Sequence, residues 1–318
     1  MPLKQPRRNM HLIRHLPACE PRPTAVAIGN FDGVHRGHQA VIEAMRAAAA
    51  EQELVPSVLT FEPHPRRFFA KAIPPFRIER LGDKLARLRA AGVKRVYMPR
   101  FDRGFAGMAA ETFLETVLGK QLQAKVVVTG ENFAFGTQRR GDSNMLKNWG
   151  NAQNVRIITV PPVEIEGAIC SSSAIRQCID AGAVAQAQTL LGHPYTLRGR
   201  VVHGQARGRT IGFPTANVWL APDLLTPAYG VYAVRATLGQ QTFEGVANFG
   251  IRPTVAVENR PTLEVYLFDT MQDMYGKNMT VEFVDKLRDE MKFAGIDALK
   301  EQIAKDCAAA RLALAGGV

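Results

Sequence analysis

The sequence predicts an α/β protein in two parts, a doubly wound parallel sheet followed by a small antiparallel β-barrel that ends in a helix. Three observations carry this expectation. Up to about residue 190, short β-branched runs alternate with helix-length amphipathic stretches. After Leu191 the helical period disappears, and strand-like runs follow one another with Gly, Pro and Asn between them. A length of 318 residues, at about 100 to 200 per domain, leaves room for two cores.

In the first part TAVAIG (24–29), LVPSVLTF (54–61), VKRVYM (93–98), KVVVTG (125–130) and VRIITV (155–160) are the expected strands. Between the first two, HQAVIEAMRAAAAEQ sets Val41, Ile42 and Met45 on one stripe of a helix. A second amphipathic helix is expected to carry Arg80, Lys84 and Arg87 on its polar face and Leu81, Leu85 and Leu88 on the other. Such alternation argues for parallel strands with helical crossovers, a sheet whose ligands bind at the carboxyl ends of the strands. In the second part TLRGRVVHG, YGVYAVRATLG, QTFEGVANFG, TLEVYLFD and MTVEFVDKL read as barrel strands. A terminal helix is expected from about Ile296 to near Gly316, with Leu299, Ile303 and Leu312 apolar. The domains are expected at 1–186 and 187–318, with Gly192 and Pro194 marking the change of pattern.

Composition narrows the function classes. With 46% hydrophobic and 22% charged residues, and no apolar run near the roughly 18 residues of a spanning helix, neither a membrane bundle nor a disordered tail is expected. Cys19, Cys170, Cys178 and Cys307 are scattered, form no C-x-x-C pair and follow no secretory apolar core, so reduced thiols and a cytoplasmic location are expected. The opening MPLKQPRRNMHLIRHL bears Arg but no Ser, and is expected to belong to the fold. The net charge of +11 is uneven: residues 1–190 hold 26 basic and 16 acidic side chains, residues 191–318 hold 14 and 13. A basic first part suits nucleic acid, an acidic membrane face or small polyphosphates, and charge alone does not separate these.

GNFDGVHRGHQAVI begins where the first strand ends and runs into the first helix. Gly29, Gly33 and Gly37 let backbone approach a ligand closely, and the helix start offers N–H groups to an anion. His35 and His38 stand at that point. An H-x-x-H pair alone reads more readily as a metal pair or two surface histidines; the glycines and the strand-to-helix switch reverse that and favour a phosphate cradle, where imidazoles donate to oxygens as charge develops.

The second informative run is GRVVHGQARGRTIGFPTAN (199–217), which holds neither G-x-x-x-x-G-K-[ST] nor G-x-G-x-x-G. Gly204, Gly208 and Gly212 supply a flexible loop, and Thr215 and Asn217 present neutral oxygens of the hard kind that suits Mg²⁺. By itself P-T-A-N is more often an ordinary turn. Glu264 stands as a lone carboxylate in an apolar strand, which periodicity alone reads as an outward-facing side chain.

Taken together, G-x-F-D-G-x-H-x-G-H, FEPHP (61–65), GENFAFG (130–136) with the following RRGD, SSSAIR (171–176) and G-R-x-x-G-F-P-T-A-N (208–217) fall in an order that resembles the bacterial bifunctional riboflavin kinase/FMN adenylyltransferases, or FAD synthetases, over essentially the whole chain. The resemblance implies a nucleotidyltransferase site in which His35, His38, Ser172, Ser173 and Arg176 hold ATP phosphates, the loop residues Gly29, Phe31, Asp32 and Gly33 belong to the same ATP site, and Asn132 touches nucleotide or flavin. Ser173 replaces the family's usual Thr and Ala174 a common Arg, so Ala174 is left out. Ser171 reads as a helix cap, while Phe133 and Phe135 are core or site. The resemblance further implies that Thr215 and Asn217 hold Mg-nucleotide beside the Gly204, Gly208 and Gly212 loop, that Glu264 is a catalytic base, that GVANFGIRPT (245–254) lies near flavin, and that Arg288 contacts it.

The implied chemistry is phosphorylation of riboflavin to FMN, then adenylyl transfer to FMN giving FAD and pyrophosphate, each with ATP and Mg²⁺. FMN is already ionised at pH 7 and needs no base, whereas the riboflavin hydroxyl does. Neither nucleic acid nor membrane is an expected partner, and the oligomeric state is left open. A class I aminoacyl-tRNA synthetase would share the H-x-G-H pair, yet no K-M-S-K-S-like segment or anticodon domain is evident. A non-catalytic RNA-binding module is the other reading of the basic half.

Overall fold

The computed structural model describes residues 10–70, 73–203, 212–251, 261–270 and 272–316. Two compact units divide the chain: residues up to Ile73 with Leu81–Cys170 form the first, and Pro74–Arg80 with the chain from Ser171 onward form the second. Each is described by itself.

In the first unit β1 (His11–Ile13), β2 (Thr24–Ile28), α1 (Arg36–Glu51), β3 (Val55–Leu59), α2 (Pro65–Phe69), α3 (Leu81–Ala90), β4 (Arg95–Tyr97), α4 (Arg103–Ala106), α5 (Ala110–Thr112, running on as π-helical Phe113–Gln121), β5 (Ala124–Gly130), α6 (Ser143–Gln153) and β6 (Arg156–Val160) follow in order, before a small hairpin of β7 (Glu164–Ile165) and β8 (Ala168–Ile169). The six long-range strands pair in parallel in the order β1-β4-β3-β2-β5-β6. β2 is buried at all five positions because helices cover both sheet faces, which is why its sequence is apolar without alternation. On one face Val41, Ile42, Met45, Ala48 and Ala49 of α1 pack on Ala25, Ala27, Val126 and Val128. On the other, Val26 and Val127 meet Phe113, Leu114, Val117 and Trp149. Each fully buried Val, Leu or Ile contributes about 1.5 to 3 kcal/mol. The chain moves outward through β2, β3 and β4, then returns beside β2 as β5, so the order reverses between β2 and β5.

Two local expectations change. The edge strand β1, of three residues with two exposed, is too short to register as a pattern, though it ties HLI of the opening stretch into the sheet; positions 1–9 of that stretch lie outside the described residues. Lys84 is not on the solvent face of α3: it is 7% exposed. Positions 81, 84, 85 and 88 are spaced i, i+3, i+4, i+7, which is one face of a helix, so a lysine there is turned inward with the leucines.

The second unit begins with α7 (Ser172–Asp180) and α8 (Val184–Leu191). Strands β9 (Thr196–Val202), β10 (Thr215–Trp219), β11 (Gly230–Leu238), β12 (Gln241–Gly250), β13 (Thr262–Leu267) and β14 (Asn278–Arg288) close an antiparallel barrel in the order β10-β13-β12-β11-β14-β9. Gly192 is the left-handed cap that ends α8, at φ 73°. The Ile179 carbonyl of α7 accepts from Ala228 N at 3.2 Å, linking the helices to the barrel. Helix α9 (Ile296–Ala315) turns Asp306, Ala310 and Leu314 inward, at i, i+4 and i+8. Ala310 and Leu314 pack on Val231, Ala233 and Val246. Leu312, expected in the apolar stripe, is instead 77% exposed, while Leu299 and Ile303 are half-buried.

Candidate active sites

The turn out of β2 is unusual in its backbone. Phe31, Gly33 and Val34 have φ of 50°, 83° and 35°. Gly33 takes this conformation without a Cβ, and Phe31 and Val34 are held in it by the core into which they are buried. The turn delivers His35 as the N-cap of α1, its Nδ1 accepting from His38 N at 3.4 Å. With Nδ1 accepting, the proton of neutral His35 sits on Nε2. The two imidazoles stack, with centroids 3.6 Å apart, and Phe31 lies 5.1 Å from the His38 ring. Space at Gly37 is tight: a Cβ there would stand 3.1 Å from the Cys170 carbonyl oxygen and 3.2 Å from the His35 ring, so these neighbours would have to give by a few tenths of an ångström. Asp32 is buried within the same turn.

Where the strand order reverses, a cavity of about 760 Å³ opens at the carboxyl ends of β2 and β5. Gly29 and Asn30 line it from the first turn, Asn132 from the second. Its walls are aromatic, with Phe61, Phe105, Phe113, Phe133 and Phe135 among them. Phe133 and Phe135 stack at 5.4 Å and also pack against the core, so they serve both as core and as cavity wall. His64, Arg66 and Arg139 line the same cavity. Aromatic walls suit a planar ring, and the basic side chains suit an anion attached to it.

SSSAIR starts α7. Ser171 is its N-cap, accepting from Ala174 N at 3.1 Å, as expected of a cap. Ser172 and Ser173 form the first turn, and Arg176 Nε donates to the Phe76 carbonyl at 2.8 Å with its guanidinium 5.7 Å from the Phe76 ring centre. These residues belong to the second unit, as does the segment Pro74–Arg80.

On the barrel, β13 alternates: Leu263, Val265 and Leu267 point inward, Thr262, Glu264 and Tyr266 outward. Glu264 does face away from the barrel core, as periodicity suggested, but it lines a cavity of about 280 Å³ walled by Thr215, Asn248, Tyr266, Arg288 and residues of α9. Register places Glu264 between Asn217 on β10 and Asn248 on β12. Thr215 Oγ1 donates to Glu264 Oε2 at 3.5 Å. Thr215 also lines a second cavity of about 610 Å³, together with Gly212, Pro214, Gln272, Asp273 and Tyr275. Burial holds the Tyr266 phenol above its ordinary value, with Cys307 and Asp269 adding to the shift and Arg311 opposing it, so it stays neutral. Arg288 is clamped: Nε and Nη2 donate to Asp306 at 2.9 and 2.7 Å, and Nη1 to the Asp289 carbonyl at 2.9 Å. Gly212 has φ 88°, while Gly204 and Gly208 lie outside the described residues, as do positions 252–254 of the GVANFGIRPT run.

Comparison with known proteins matches two families along the chain. A family described as FAD synthetase matches residues 18–174, and one described as riboflavin kinase matches residues 191–314. The bifunctional riboflavin kinase/FMN adenylyltransferase of Escherichia coli strain K12 is 42% identical over 306 residues, 95% of this chain and 97% of its own length. This chain belongs to the bifunctional riboflavin kinase/FMN adenylyltransferase family. The Bacillus subtilis member of that family is 37% identical over 300 residues, 93% of each chain. A solved structure from Streptococcus pneumoniae, described as a macrolide-efflux protein, is 34% identical with a TM-score of 0.88, covering 95% of this chain and 99% of that one. Among the described residues no helix is long and apolar enough to cross a membrane.

For this member of the family, the residues that sequence patterns missed are those assembled by topology. Phe105 and Phe113 come from separate segments with no common spacing, and Phe61 opens the FEPHP run without a role assigned to it there. Asn248 lies in a run that was noticed, but only strand register brings it opposite Glu264.

Proposed function

We propose that the barrel performs the kinase step at Thr215, Asn217 and Glu264, and that the sheet unit's His35 and His38, with α7, serve adenylyl transfer. Family membership makes the chain a bifunctional enzyme: it phosphorylates riboflavin to FMN and adenylylates FMN to FAD, with ATP as co-substrate. The observation that carries the kinase assignment is Thr215 in the wall of two cavities, one of which holds Glu264. Riboflavin fits the smaller, where Glu264 takes the proton of its 5′-hydroxyl as that oxygen attacks the γ-phosphorus of ATP and ADP leaves. Nucleotide fits the other cavity, beside Gly212. Arg288 meets the flavin from a guanidinium whose edge is fixed by Asp306.

Thr215 and Asn217 present hard oxygen donors next to a carboxylate, a donor set that fits Mg²⁺, which takes few protein ligands. Bound there, the ion would neutralise ATP phosphates.

In adenylyl transfer an FMN phosphate oxygen attacks the α-phosphorus of ATP and pyrophosphate leaves. His35 and His38 donate to the phosphate oxygens at the α1 N-terminus, with Gly29, Phe31, Asp32 and Gly33 shaping the turn; the likeness of SSSAIR to the family motif is what assigns Ser172, Ser173 and Arg176 to ATP phosphates. The aromatic cavity takes the flavin, with Asn132 at its wall. The functional boundary is proposed at 186/187 and the location as cytoplasmic, supported by four cysteines that are all free. Nucleic acid is not a partner; the basic excess serves phosphate ligands. Incubation with riboflavin, ATP and Mg²⁺, followed by chromatography, tests this: FMN appears first and FAD after it, and the absence of both would refute it.

A further inference from the structure

We infer that Lys84 is a positioning residue of the adenylyl-transfer site, holding the turn that presents His35 and His38. The inference rests on the assignment of that site to adenylyl transfer. Lys84 lies on α3, a helix with no motif of its own, yet its Nζ reaches the end of the sheet: it donates to the Asn30 carbonyl at 3.2 Å and to Thr60 Oγ1 at 3.3 Å. Thr60 Oγ1 in turn donates to the same Asn30 oxygen at 3.1 Å. Thr60 is itself fixed, its N–H bonded to the Tyr97 carbonyl at 2.9 Å.

Both lone pairs of the Asn30 carbonyl are therefore used, and the peptide between Asn30 and Phe31 has one orientation. This peptide is the pivot of the turn. Phe31 follows it at φ 50°, and Gly33 and Val34 complete a left-handed path that ends at His35. Side chains other than glycine hold such a backbone only where surrounding structure over-determines it. The core supplies part of that restraint through the buried rings and methyls of Phe31 and Val34; Lys84 and Thr60 supply the polar part. Asn30 is also one of the many residues that line the aromatic cavity, whose walls are otherwise set by the phenylalanines.

Stability alone does not account for a lysine here. Its neighbours on the helix face are Leu81, Leu85 and Leu88, and even a partnered ammonium at a buried position is commonly no more stabilising than a well-packed leucine. A buried charge fixed on the backbone of a functional turn is the pattern expected of a residue kept for geometry.

The test compares Lys84→Met, Lys84→Arg and Thr60→Val with the unmodified full chain, measuring FAD formation from FMN, FMN formation from riboflavin, and the ring ¹⁵N resonances of selectively labelled histidine. For Lys84→Met, kcat of FAD formation should fall about tenfold or more, since small misplacements of catalytic groups cost up to about a hundredfold. KM for FMN should stay within about twofold, kinase activity should be unchanged, and the His35 and His38 resonances should move. Lys84→Arg, which keeps the donors, should recover most of the rate. Thr60→Val, which keeps the shape, should show the same signature more weakly and decides the matter if Lys84→Met does not fold. Rates within about twofold of the unmodified chain, or a loss of rate with the histidine resonances unmoved, would overturn the inference. Absence of FAD formation in the unmodified chain would instead refute the assignment of the site itself.

Discussion

Asn217 stands directly opposite Glu264 across the β10–β13 pair, with Asn248 on the other side of Glu264 across β12–β13. The carboxylate is thus flanked by two amides on the outer face of the barrel, in a cavity roofed by α9, rather than exposed on an ordinary strand. The roof is secured by the paired bonds of Arg288 and buried Asp306, which Gln302 also supports at 2.9 Å. Removing one partner of such a buried pair costs about 3 to 5 kcal/mol.

His38→Ala, and separately Arg176→Ala, should abolish or strongly slow FAD formation while FMN formation continues. Both side chains are assigned to the ATP phosphates of adenylyl transfer alone, and Arg176 is already oriented by the Phe76 carbonyl. Assaying both products from one folded preparation checks this; equal loss of the two would contradict the separation of sites.

A fragment of residues 187–318 should convert riboflavin to FMN, because Thr215, Asn217, Asn248, Glu264 and Arg288 all lie within it. It lacks α7, whose Ile179 carbonyl bonds Ala228 N, and the first turn of α8 with buried Val184. A fragment beginning at Ser171 should therefore melt about 5 °C or more above it. A 187–318 fragment that is folded by circular dichroism yet inert would contradict the proposed boundary.

Alkaline pH should destabilise the fold. Burial raises the phenols of Tyr97, Tyr195 and Tyr232 above 10.0 and the thiols of Cys170, Cys178 and Cys307 above 9.0. Above these ordinary values the unfolded chain releases protons that the folded chain keeps, so stability is intact at neutral pH and falls as pH rises. The slope approaches roughly 1.4 kcal/mol per pH unit for each group concerned. Thermal midpoints from pH 7 to about pH 11 check this; a flat profile would contradict it.

Much of this was legible in the sequence because the signals are local. Strand runs such as TAVAI, the α1 stripe of Val41, Ile42 and Met45, and the delivery of His35 to a helix start each depend on a few consecutive residues. What escaped depends on distant neighbours. Lys84 looked like a surface charge because lysine usually is one; only the packing of α3 against the end of β2 shows its ammonium in use. Arg288 looked like a flavin contact alone, and its partner Asp306 lies 18 residues further on, across the turn into α9. Leu312 reads as inward from its apolar side chain, whereas the smaller Ala310 and the buried Asp306 set the helix face.

The central claim, that the barrel is a kinase site with Glu264 as its base, is tested most directly by the rate of FMN formation in Glu264→Gln. Glutamine keeps the shape of the side chain and can still pair with Thr215, but it does not accept a proton at neutral pH. FMN production should fall by about 10² to 10⁴, with little change in the binding of ATP or riboflavin and with FAD formation from supplied FMN intact. A kinase rate within a few-fold of the unmodified protein would contradict the assignment and leave Thr215 and Asn217 as the kinase residues.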